Sequence, residues 1–170
     1  MRLQVPEPLS LRHQLQDFDC GKPPLNEWLL RHARHAQTTG SVKTFVVEAG
    51  QRVAGYFSLT VGQVDTIATP ERIRESHVQY PMPVVILARL AVSLSEQGRG
   101  IGYGMLQDAI RRTLAIAGRP DIRTLLTHPV GEDDARFYER FGFVRSPVCA
   151  QQVLLLLKDA WRSLERTAAK

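Results

Sequence analysis

Four glycines lie within seven positions of the chain, between an apolar run and an amphipathic one. They are Gly98, Gly100, Gly102 and Gly104. A strand that feeds a glycine-rich turn and then a helix makes a good anion site, because unpaired N–H groups and the positive end of the helix dipole meet there. Glycine also lets the backbone come close to a ligand. The sequence therefore predicts a turn that holds a phosphate-bearing ligand.

Two common phosphate-binding loops do not match this turn. A dinucleotide fingerprint requires G-x-G-x-x-G, but its last glycine position falls on Tyr103 or on Met105, depending on where the motif starts. A P-loop requires a lysine after its last glycine, and no lysine lies between Lys43 and Lys158. Dinucleotide and nucleoside triphosphate binding are therefore both disfavoured.

The segment QGRGIG at 97–102 resembles the Q/R-x-x-G-x-G/A pyrophosphate loop of the GNAT (GCN5-related) N-acetyltransferases. Two further segments match that family in order and spacing: LARLAV at 87–92 resembles its splayed fourth strand, and FYERFGF at 137–143 resembles its F-Y-x-x-x-G-F signature. The resemblance runs from about residue 42 to residue 157. It implies an α/β fold with a mixed central β-sheet and helices on both faces, and acetyl-CoA as co-substrate.

The resemblance also implies which residues bind the cofactor. N–H groups of the turn hold the pyrophosphate, and the strand backbone pairs with pantetheine, an amide chain able to satisfy an opened strand edge. Asp133 either touches the cofactor arm or is simply an acid in the first turn of a helix, where the dipole favours it. The expected cofactor-binding residues are Leu90, Ala91, Val92, Gln97, Gly98, Arg99, Gly100, Ile101, Gly102 and Asp133.

Acetyl transfer from a thioester requires a neutral amine, a stabilised oxyanion and usually a proton for the leaving thiolate. By the same resemblance, Tyr138 is the catalytic residue that supplies this proton. Many family members carry a glutamate base on the fourth strand, but residues 84–92 contain no acid. Three routes to a neutral amine therefore remain open: a water relay, His128 as the base, or an amine of low pKa. An α-amino group with a pKa of about 8 fits the last route better than a lysine at about 10.4.

A narrower resemblance extends from residue 18 to the C-terminal strand. The matching segments resemble the GNAT toxins of bacterial toxin–antitoxin pairs, and they are FDCG at 18–21, LNEWL at 25–29, KTFVV at 43–47, GYFSL at 55–59 and RLAV at 89–92. In that family the substrate is the α-amine of an aminoacyl-tRNA, and its acetylation stops translation. The resemblance implies this activity, a homodimer and a ribbon-helix-helix antitoxin.

The charge balance permits an RNA partner. The net charge is +5, and Arg and Lys together number 22 against 17 acids. The expected tRNA-binding residues are Arg89, Lys43, Arg31 and Arg34, with His35, Arg72 and Arg74 as further candidates. Each of these is also explained as an ordinary solvated charge, except Arg89, because an arginine inside a buried strand needs a partner. The alternatives to the toxin are a GNAT that acetylates a small amine or peptide and a non-catalytic, CoA-responsive RNA-binding or regulatory module.

Hydrophobic periodicity and turn residues predict the elements that position these groups. The expected elements are a helix from Pro23 to Gly40, antiparallel strands at 42–48 and 53–61, a polar helix at 70–76, a strand at 84–92 covered on both faces, a helix from the glycine turn to Gly118, a strand at 122–127, a helix at 133–140 and a strand at 151–157 before a charged C-terminal helix.

Length and composition favour a single domain over residues 1–170. No apolar segment has the length of a signal peptide core or a membrane span, so we expect a cytoplasmic protein without membrane contact. Cys20 and Cys149 lie far apart in the sequence and have no metal-binding spacing. We therefore expect reduced thiols and no metal.

Overall fold

The computed structural model describes residues 5–64, 82–116, 122–147, 149, 151–160 and 164. In these ranges the helices are α1 (Pro23–Arg31), α2 (Ala33–Thr39), α3 (Ile101–Ile116) and α4 (Glu132–Glu139). The strands are β1 (Glu7–Pro8), β2 (Lys43–Ala49), β3 (Arg52–Val64), β4 (Met82–Val92), β5 (Thr124–Thr127), β6 (Val144–Arg145) and β7 (Val153–Leu156). The strands form one sheet in the order β1-β2-β3-β4-β5-β7-β6. It is mixed, as predicted, because β4 and β5 run parallel while β5 and β7 run antiparallel.

The chain forms two compact units. The first comprises the described residues of Met1–Thr60 and Ala88–Ala109, and the second those of Val61–Leu87 and Ile110–Lys170. The first unit therefore contains α1, α2, the end of β4 and the glycine turn, defined here as residues 97–102. The second contains the start of β4, β5, β6, β7 and α4.

In the first unit, β2 and β3 form the predicted hairpin. They pair antiparallel from Lys43 with Leu59 to Ala49 with Arg52, with a register shift between Val47 and Glu48. Gly50 occupies the turn at φ 69°, a left-handed conformation that glycine adopts at no steric cost. A turn of two residues joins strands whose β-branched and aromatic side chains are almost all buried.

The predicted helix from Pro23 to Gly40 is interrupted in the structure. The backbone at His32 leaves the helical region, with φ −120° and ψ −26°, so that α1 and α2 are separate helices. The prediction of one continuous helix is therefore wrong at this residue. The sequence around His32 contains no glycine or proline that would have indicated the break. The predicted end is confirmed: Gly40 has φ 79°, and its N–H donates to the carbonyl oxygen of Ala36 at 2.9 Å.

Strand β4 changes character along its length. Val84, Val85 and Leu87 are fully buried, whereas Ala88 is exposed and Arg89 is half-buried. In the described ranges, β4 pairs with β5 from Val85 to Leu87, and residues 88–92 continue past the end of β5. The prediction of a strand covered on both faces therefore holds for its first half and is wrong for its second, where the short neighbouring strand has ended.

In the second unit, the predicted strands and helix are present with shifted bounds. β7 pairs antiparallel with both β5 and β6, and its four residues are all buried. The predicted strand at 151–157 is shorter than expected, because residues 157–160 are already helical. The two-residue strands β1 and β6 were not predicted, since two residues show no periodicity. The predicted helix at 70–76 and the predicted helix end at Gly118 lie outside the described residues.

No helix within the described ranges is long and apolar enough to cross a membrane.

A close backbone contact in the first unit involves Gly55 of β3. A Cβ atom added there would lie 2.9 Å from Met105 Cε on α3 and 3.1 Å from the carbonyl oxygen of Ala91 on β4. The absence of a side chain at residue 55 thus allows the helix that follows the glycine turn to pack closely on the sheet.

We predict opposite effects on stability for alanine at two glycines. Gly55→Ala should lower the free energy of unfolding by about 1–3 kcal/mol, because the new methyl group overlaps its neighbours. Gly104→Ala, on α3, should raise it by up to about 1 kcal/mol, since nothing lies within 4 Å of the new Cβ and alanine favours the helix. Urea unfolding of both variants measures the difference. Equal stability of the two variants would contradict the packing of Gly55.

Candidate functional site

The glycine turn has the backbone expected of an anion site. A 3₁₀ turn at Leu94–Glu96 follows β4, and α3 begins at Ile101. Gly98 and Gly100 have φ 82° and 81°, which L-residues rarely adopt, and a Cβ on either would meet no atom within 4 Å. Glycine is therefore needed here for conformation rather than for space. The Gly104 N–H donates to the carbonyl oxygen of Gly100 at 3.0 Å, in the first turn of α3. The N–H groups of Ile101 and Gly102 come before this bond and have no intrahelical acceptor.

The polar side chains of the turn bind the protein itself. Gln97 Nε2 donates to the carbonyl oxygen of Val92 at 3.0 Å and to that of Cys20 at 3.4 Å. Arg99 Nη1 donates to Glu96 Oε2 at 2.6 Å, and Arg52 lies 3.7 Å from the other oxygen of this buried carboxylate. These contacts tie the side chains of the turn to the rest of the first unit.

The segment before the turn, residues 88–92, is named here the open segment. Within it, Ala91 is buried, Leu90 and Val92 are half-buried, and Ala88 is exposed. The N–H of Ser93, which follows, donates to the carbonyl oxygen of Ala54 on β3 at 2.8 Å. The open segment extends beyond its pairing with β5, so it has the edge character that an extended amide chain requires.

Arg89, in the open segment, finds a partner that the sequence did not indicate. Its guanidinium carbon lies 3.8 Å from the ring centroid of Trp28 on α1, which is a cation–π contact. Trp28 in turn stacks on Tyr56, with ring centroids 6.0 Å apart, and the Tyr56 hydroxyl donates to the carbonyl oxygen of Leu25 at 2.7 Å. Burial lowers the pKa of Arg89 below its usual value. Among the residues that the structure describes, no carboxylate forms an ion pair with Arg89.

The other predicted tRNA-binding residues have different surroundings. Arg31 is exposed and lies 3.3 Å from Glu27, one helical turn away. Lys43 is exposed at the start of β2, and His35 is exposed on α2. The Arg34 guanidinium donates to the carbonyl oxygen of His13, a contact that ties α2 to the preceding loop. Arg72 and Arg74 lie outside the described residues.

Tyr138, in the second unit, lies on α4 and is 5% exposed. Its ring packs edge-on against Phe137 and Phe143, with centroid distances of 5.2 and 5.4 Å. Burial, and to a smaller extent the charge of Asp134, raise the pKa of Tyr138 above its usual value. The hydroxyl of Thr127, a residue that the sequence analysis missed, partly opposes this shift and lowers the pKa of Tyr138. Tyr138 is therefore a protonated phenol at neutral pH, which is the state required of a proton donor.

The remaining candidates in the second unit are exposed. The Asp133 side chain, in the first turn of α4, is fully exposed and lies 3.8 Å from Arg136. His128 is exposed after β5, with Nε2 at 3.3 Å from the Gln152 side chain. Cys149 is an exposed free thiol.

One cluster of potential metal ligands consists of Glu7, His13 and Glu48, whose ligand atoms all lie within 4.8 Å of one another. The backbone N–H of Ser10 donates to His13 Nδ1 at 2.9 Å, so the ring proton is on Nε2, which donates to Glu7 at 2.8 Å. Arg12 bonds to both carboxylates. With Nε2 protonated and both acids paired, the cluster is a hydrogen-bonded network that joins β1 to β2.

The first unit thus contains a strand that ends in a glycine turn, and the second contains a buried, protonated tyrosine. Both are features that the sequence analysis expected of an acetyltransferase. Residues 40–145 match the family model described as the acetyltransferase (GNAT) domain. The chain belongs to the GNAT family of acetyltransferases, and acetyl-CoA is its co-substrate.

Known relatives share nearly the whole chain. The tRNA-acetylating toxin of Mycobacterium tuberculosis (strain ATCC 25618 / H37Rv) is 35% identical over 156 residues, which are 92% of this chain and 93% of the relative. AtaT complexed with acetyl-methionyl-tRNAfMet has a TM-score of 0.85 at 23% identity and covers 95% of this chain and 98% of its own. An AtaT mutant toxin bound to the C-terminus of the antitoxin AtaR and acetyl-CoA has a TM-score of 0.77 at 22% identity and covers 100% of both chains. These likenesses confirm the predicted GNAT fold.

We predict that the left-handed glycines of the turn determine acetyl-CoA affinity. Alanine at Gly98 or Gly100 is strained by about 1–2 kcal/mol in the present conformation, so the turn shifts and its N–H groups move. The KM for acetyl-CoA should rise roughly tenfold, the equivalent of about 1.4 kcal/mol. Steady-state kinetics measures this change.

Gly40→Ala is the matched control. Gly40 has a similar φ of 79° with no atom within 4 Å of an added Cβ, but it caps α2. This variant should lose comparable stability and keep its KM for acetyl-CoA. An equal rise in KM in all three variants would assign the effect to general destabilisation.

Proposed function

We propose that this protein transfers the acetyl group of acetyl-CoA to the α-amino group of an aminoacyl-tRNA and so blocks translation, as the toxin of a type II toxin–antitoxin pair. The observation that carries this proposal is the 35% identity with a tRNA-acetylating toxin over 92% of the chain. Two features of the chain agree with it: a glycine turn with the backbone of an anion site for the donor, and a half-buried arginine that has no acidic partner among the described residues for the acceptor.

The donor binds along the open segment and the glycine turn. The N–H groups of residues 97–102 hold the pyrophosphate, and the backbone of Leu90, Ala91 and Val92 pairs with pantetheine as an added strand would. The turn supplies backbone dipoles rather than side chains, since Gln97 and Arg99 are bound within the protein. Asp133 contacts the cofactor arm, for which its fully exposed carboxylate is accessible.

The reaction is a direct transfer. The neutral amine attacks the thioester carbonyl, the oxyanion collapses, and the carbon–sulfur bond breaks. Tyr138 donates its proton to the departing thiolate, and the proton lost by the nitrogen replaces it. A raised tyrosine pKa suits this role, because Tyr138 stays protonated until the thiolate forms. Residues 84–92 contain no acidic base, and an α-amine with a pKa of about 8 is partly neutral without one.

The acceptor binds through basic residues of the first unit. Arg89 is the central contact, because Trp28 holds its guanidinium without neutralising it. Lys43 and Arg31 are exposed and add contacts to phosphates of the acceptor stem. Arg34, predicted from the sequence as a further contact, is bound to backbone carbonyl groups, and we therefore assign it to holding α2 in place.

The proposal includes partners and setting. A ribbon-helix-helix antitoxin neutralises the toxin, the active form is a cytoplasmic homodimer, and residues 1–170 act as one domain. The likeness to AtaT, which was solved with the C-terminus of its antitoxin, supports the antitoxin. The net charge of +5 supports an RNA-binding face that a dimer would enlarge.

Labelled acetyl-CoA tests the reaction directly. The protein is incubated with charged tRNA, uncharged tRNA, a peptide with a free N-terminus and small amines. Label should enter charged tRNA. Mild alkaline hydrolysis of the aminoacyl ester should then release the label together with the amino acid, because the acetyl group is on the α-amine. Tyr138→Phe should lower the rate by about 10²–10⁴-fold, the usual contribution of a general acid, and should abolish growth inhibition on induction.

Tyr103→Phe, which removes a more exposed tyrosine hydroxyl, is the control and should keep the wild-type rate. Faster labelling of a small amine or peptide would make the protein a small-amine GNAT. Binding of acetyl-CoA with no transfer to any amine would make it a regulatory module.

We predict that Arg89 acts on the acceptor alone. Arg89→Gln should raise the KM for aminoacyl-tRNA about tenfold and leave the KM for acetyl-CoA unchanged. The slope of log KM against log salt concentration should fall by about one, as expected for one lost phosphate contact. Arg111→Gln, which removes an exposed charge from α3, is the control. An unchanged salt slope in Arg89→Gln would contradict a phosphate contact.

A further inference from the structure

Arg145 lies on β6, the two-residue strand that pairs with β7 in the second unit. Its register partner is Val153, a fully buried residue of β7. The N–H of the next residue, Ser146, donates to the carbonyl oxygen of Gln152 at 2.9 Å. The backbone at Arg145 is therefore fixed to the sheet, and its half-buried side chain extends from a fixed position.

The Arg145 guanidinium binds both ends of α4. Its Nη1 and Nη2 donate to the two carboxylate oxygens of Glu132, the first residue of the helix, at 3.1 and 2.8 Å. Its Nε donates to Glu139, the last residue, at 2.6 Å. Single exposed ion pairs add little stability, whereas a bidentate arginine within a network of several charges does contribute. Hydrogen bonds between them lower the pKa of the Glu132 carboxyl and raise the pKa of Arg145, so both groups are held in their charged forms.

Helix α4 needs such support because it is short. It has eight residues, and a helix of that length is not stable alone in water. Its N-cap residue, Gly131, supplies no side-chain hydrogen bond, and a glutamate at the C-terminal end, Glu139, opposes the helix dipole. Arg145 offsets the charge of Glu139 and joins the last turn to the first through one guanidinium. Rotation or fraying of α4 therefore requires that these bonds break.

Tyr138 lies within the segment that these bonds enclose, one residue before Glu139. The Tyr138 carbonyl oxygen accepts hydrogen bonds from the N–H groups of Phe141 at 3.0 Å and Phe143 at 3.3 Å, in the turn that leads from α4 to β6. Its ring packs edge-on against the Phe143 ring. The backbone and the ring of Tyr138 are thus held between α4 and this turn, and Arg145 joins the helix to the strand that follows the turn.

We propose that Arg145 is a positioning residue for Tyr138: by binding both ends of α4 it fixes the helix to β6 and holds the phenol in the place that transfer requires. Arg145 takes no part in the proton transfer, since its guanidinium is occupied by two carboxylates. It acts through the helix alone. The inference rests on the proposed role of Tyr138 as proton donor and does not depend on the identity of the amine.

The test combines two Arg145 variants with Tyr138→Phe. Arg145→Gln should lower kcat about tenfold, because a displaced proton donor slows the chemical step. The KM for acetyl-CoA should stay within about twofold, since the glycine turn lies in the first unit. Arg145→Lys should have an intermediate kcat, because an ammonium group lacks the fork that binds both carboxylates. In the Tyr138→Phe background, Arg145→Gln should cause no further loss of kcat.

Arg136→Gln is the matched control. Arg136 is an exposed arginine on α4, and its described ion pair, at 3.8 Å, is with Asp133 of the same helix. The variant removes the same charge without releasing α4 from β6, so its kcat should stay within about twofold of wild type. Hydrogen–deuterium exchange over residues 132–145 gives a readout that is independent of activity. Exchange there should be faster in Arg145→Gln and close to wild type in Arg136→Gln.

Three outcomes would overturn the inference. These are equal kcat values for Arg145→Gln and Arg136→Gln, an additive loss of kcat in the variant that combines Arg145→Gln with Tyr138→Phe, and unchanged exchange over residues 132–145 in Arg145→Gln. The assay uses the best acceptor, whether aminoacyl-tRNA or a small amine. Failure of aminoacyl-tRNA as acceptor, with these differences intact on a small amine, would refute the proposed substrate and leave Arg145 in its role.

Discussion

The end of the pairing between β4 and β5 at Leu87 is the constraint on which the open segment depends. Every buried backbone polar group needs a partner, and a strand that outlasts its neighbour must find one elsewhere. β4 runs on to Val92 after β5 has ended at Thr127, and this excess length produces the open segment. The Thr127 hydroxyl binds the backbone at that point, and Arg89 and the glycine turn follow within the next residues. One short strand thus determines where β4 loses its pairing on the β5 side.

The glycine turn combines two opposite requirements. Its path requires left-handed conformations at Gly98 and Gly100, and the flexible backbone that glycine provides must nevertheless be held in place. Gln97 and Arg99 meet the second requirement through bonds to backbone carbonyl oxygens and to the buried Glu96 carboxylate. The residues that appear from the sequence to be ligand contacts therefore act partly as supports.

Local features of the sequence predicted most of the elements and the turn, because glycine spacing, strand alternation and helix periodicity are properties of neighbouring residues. Contacts between distant residues were not predictable in this way. The Arg89 contact with Trp28 joins separate elements and leaves no spacing to detect. The break at His32 and the exposure of the second half of β4 were not predicted either. Both depend on packing against nearby elements rather than on the residues themselves.

The bonds that fix the glycine turn have a consequence for the timing of ligand capture. Because the turn is already ordered by its own side chains, the diphosphate binding that we propose for it requires little loss of backbone entropy. A preorganised receptor of this kind associates rapidly and needs no slow conformational step. The donor site that we propose is thus formed before either substrate arrives.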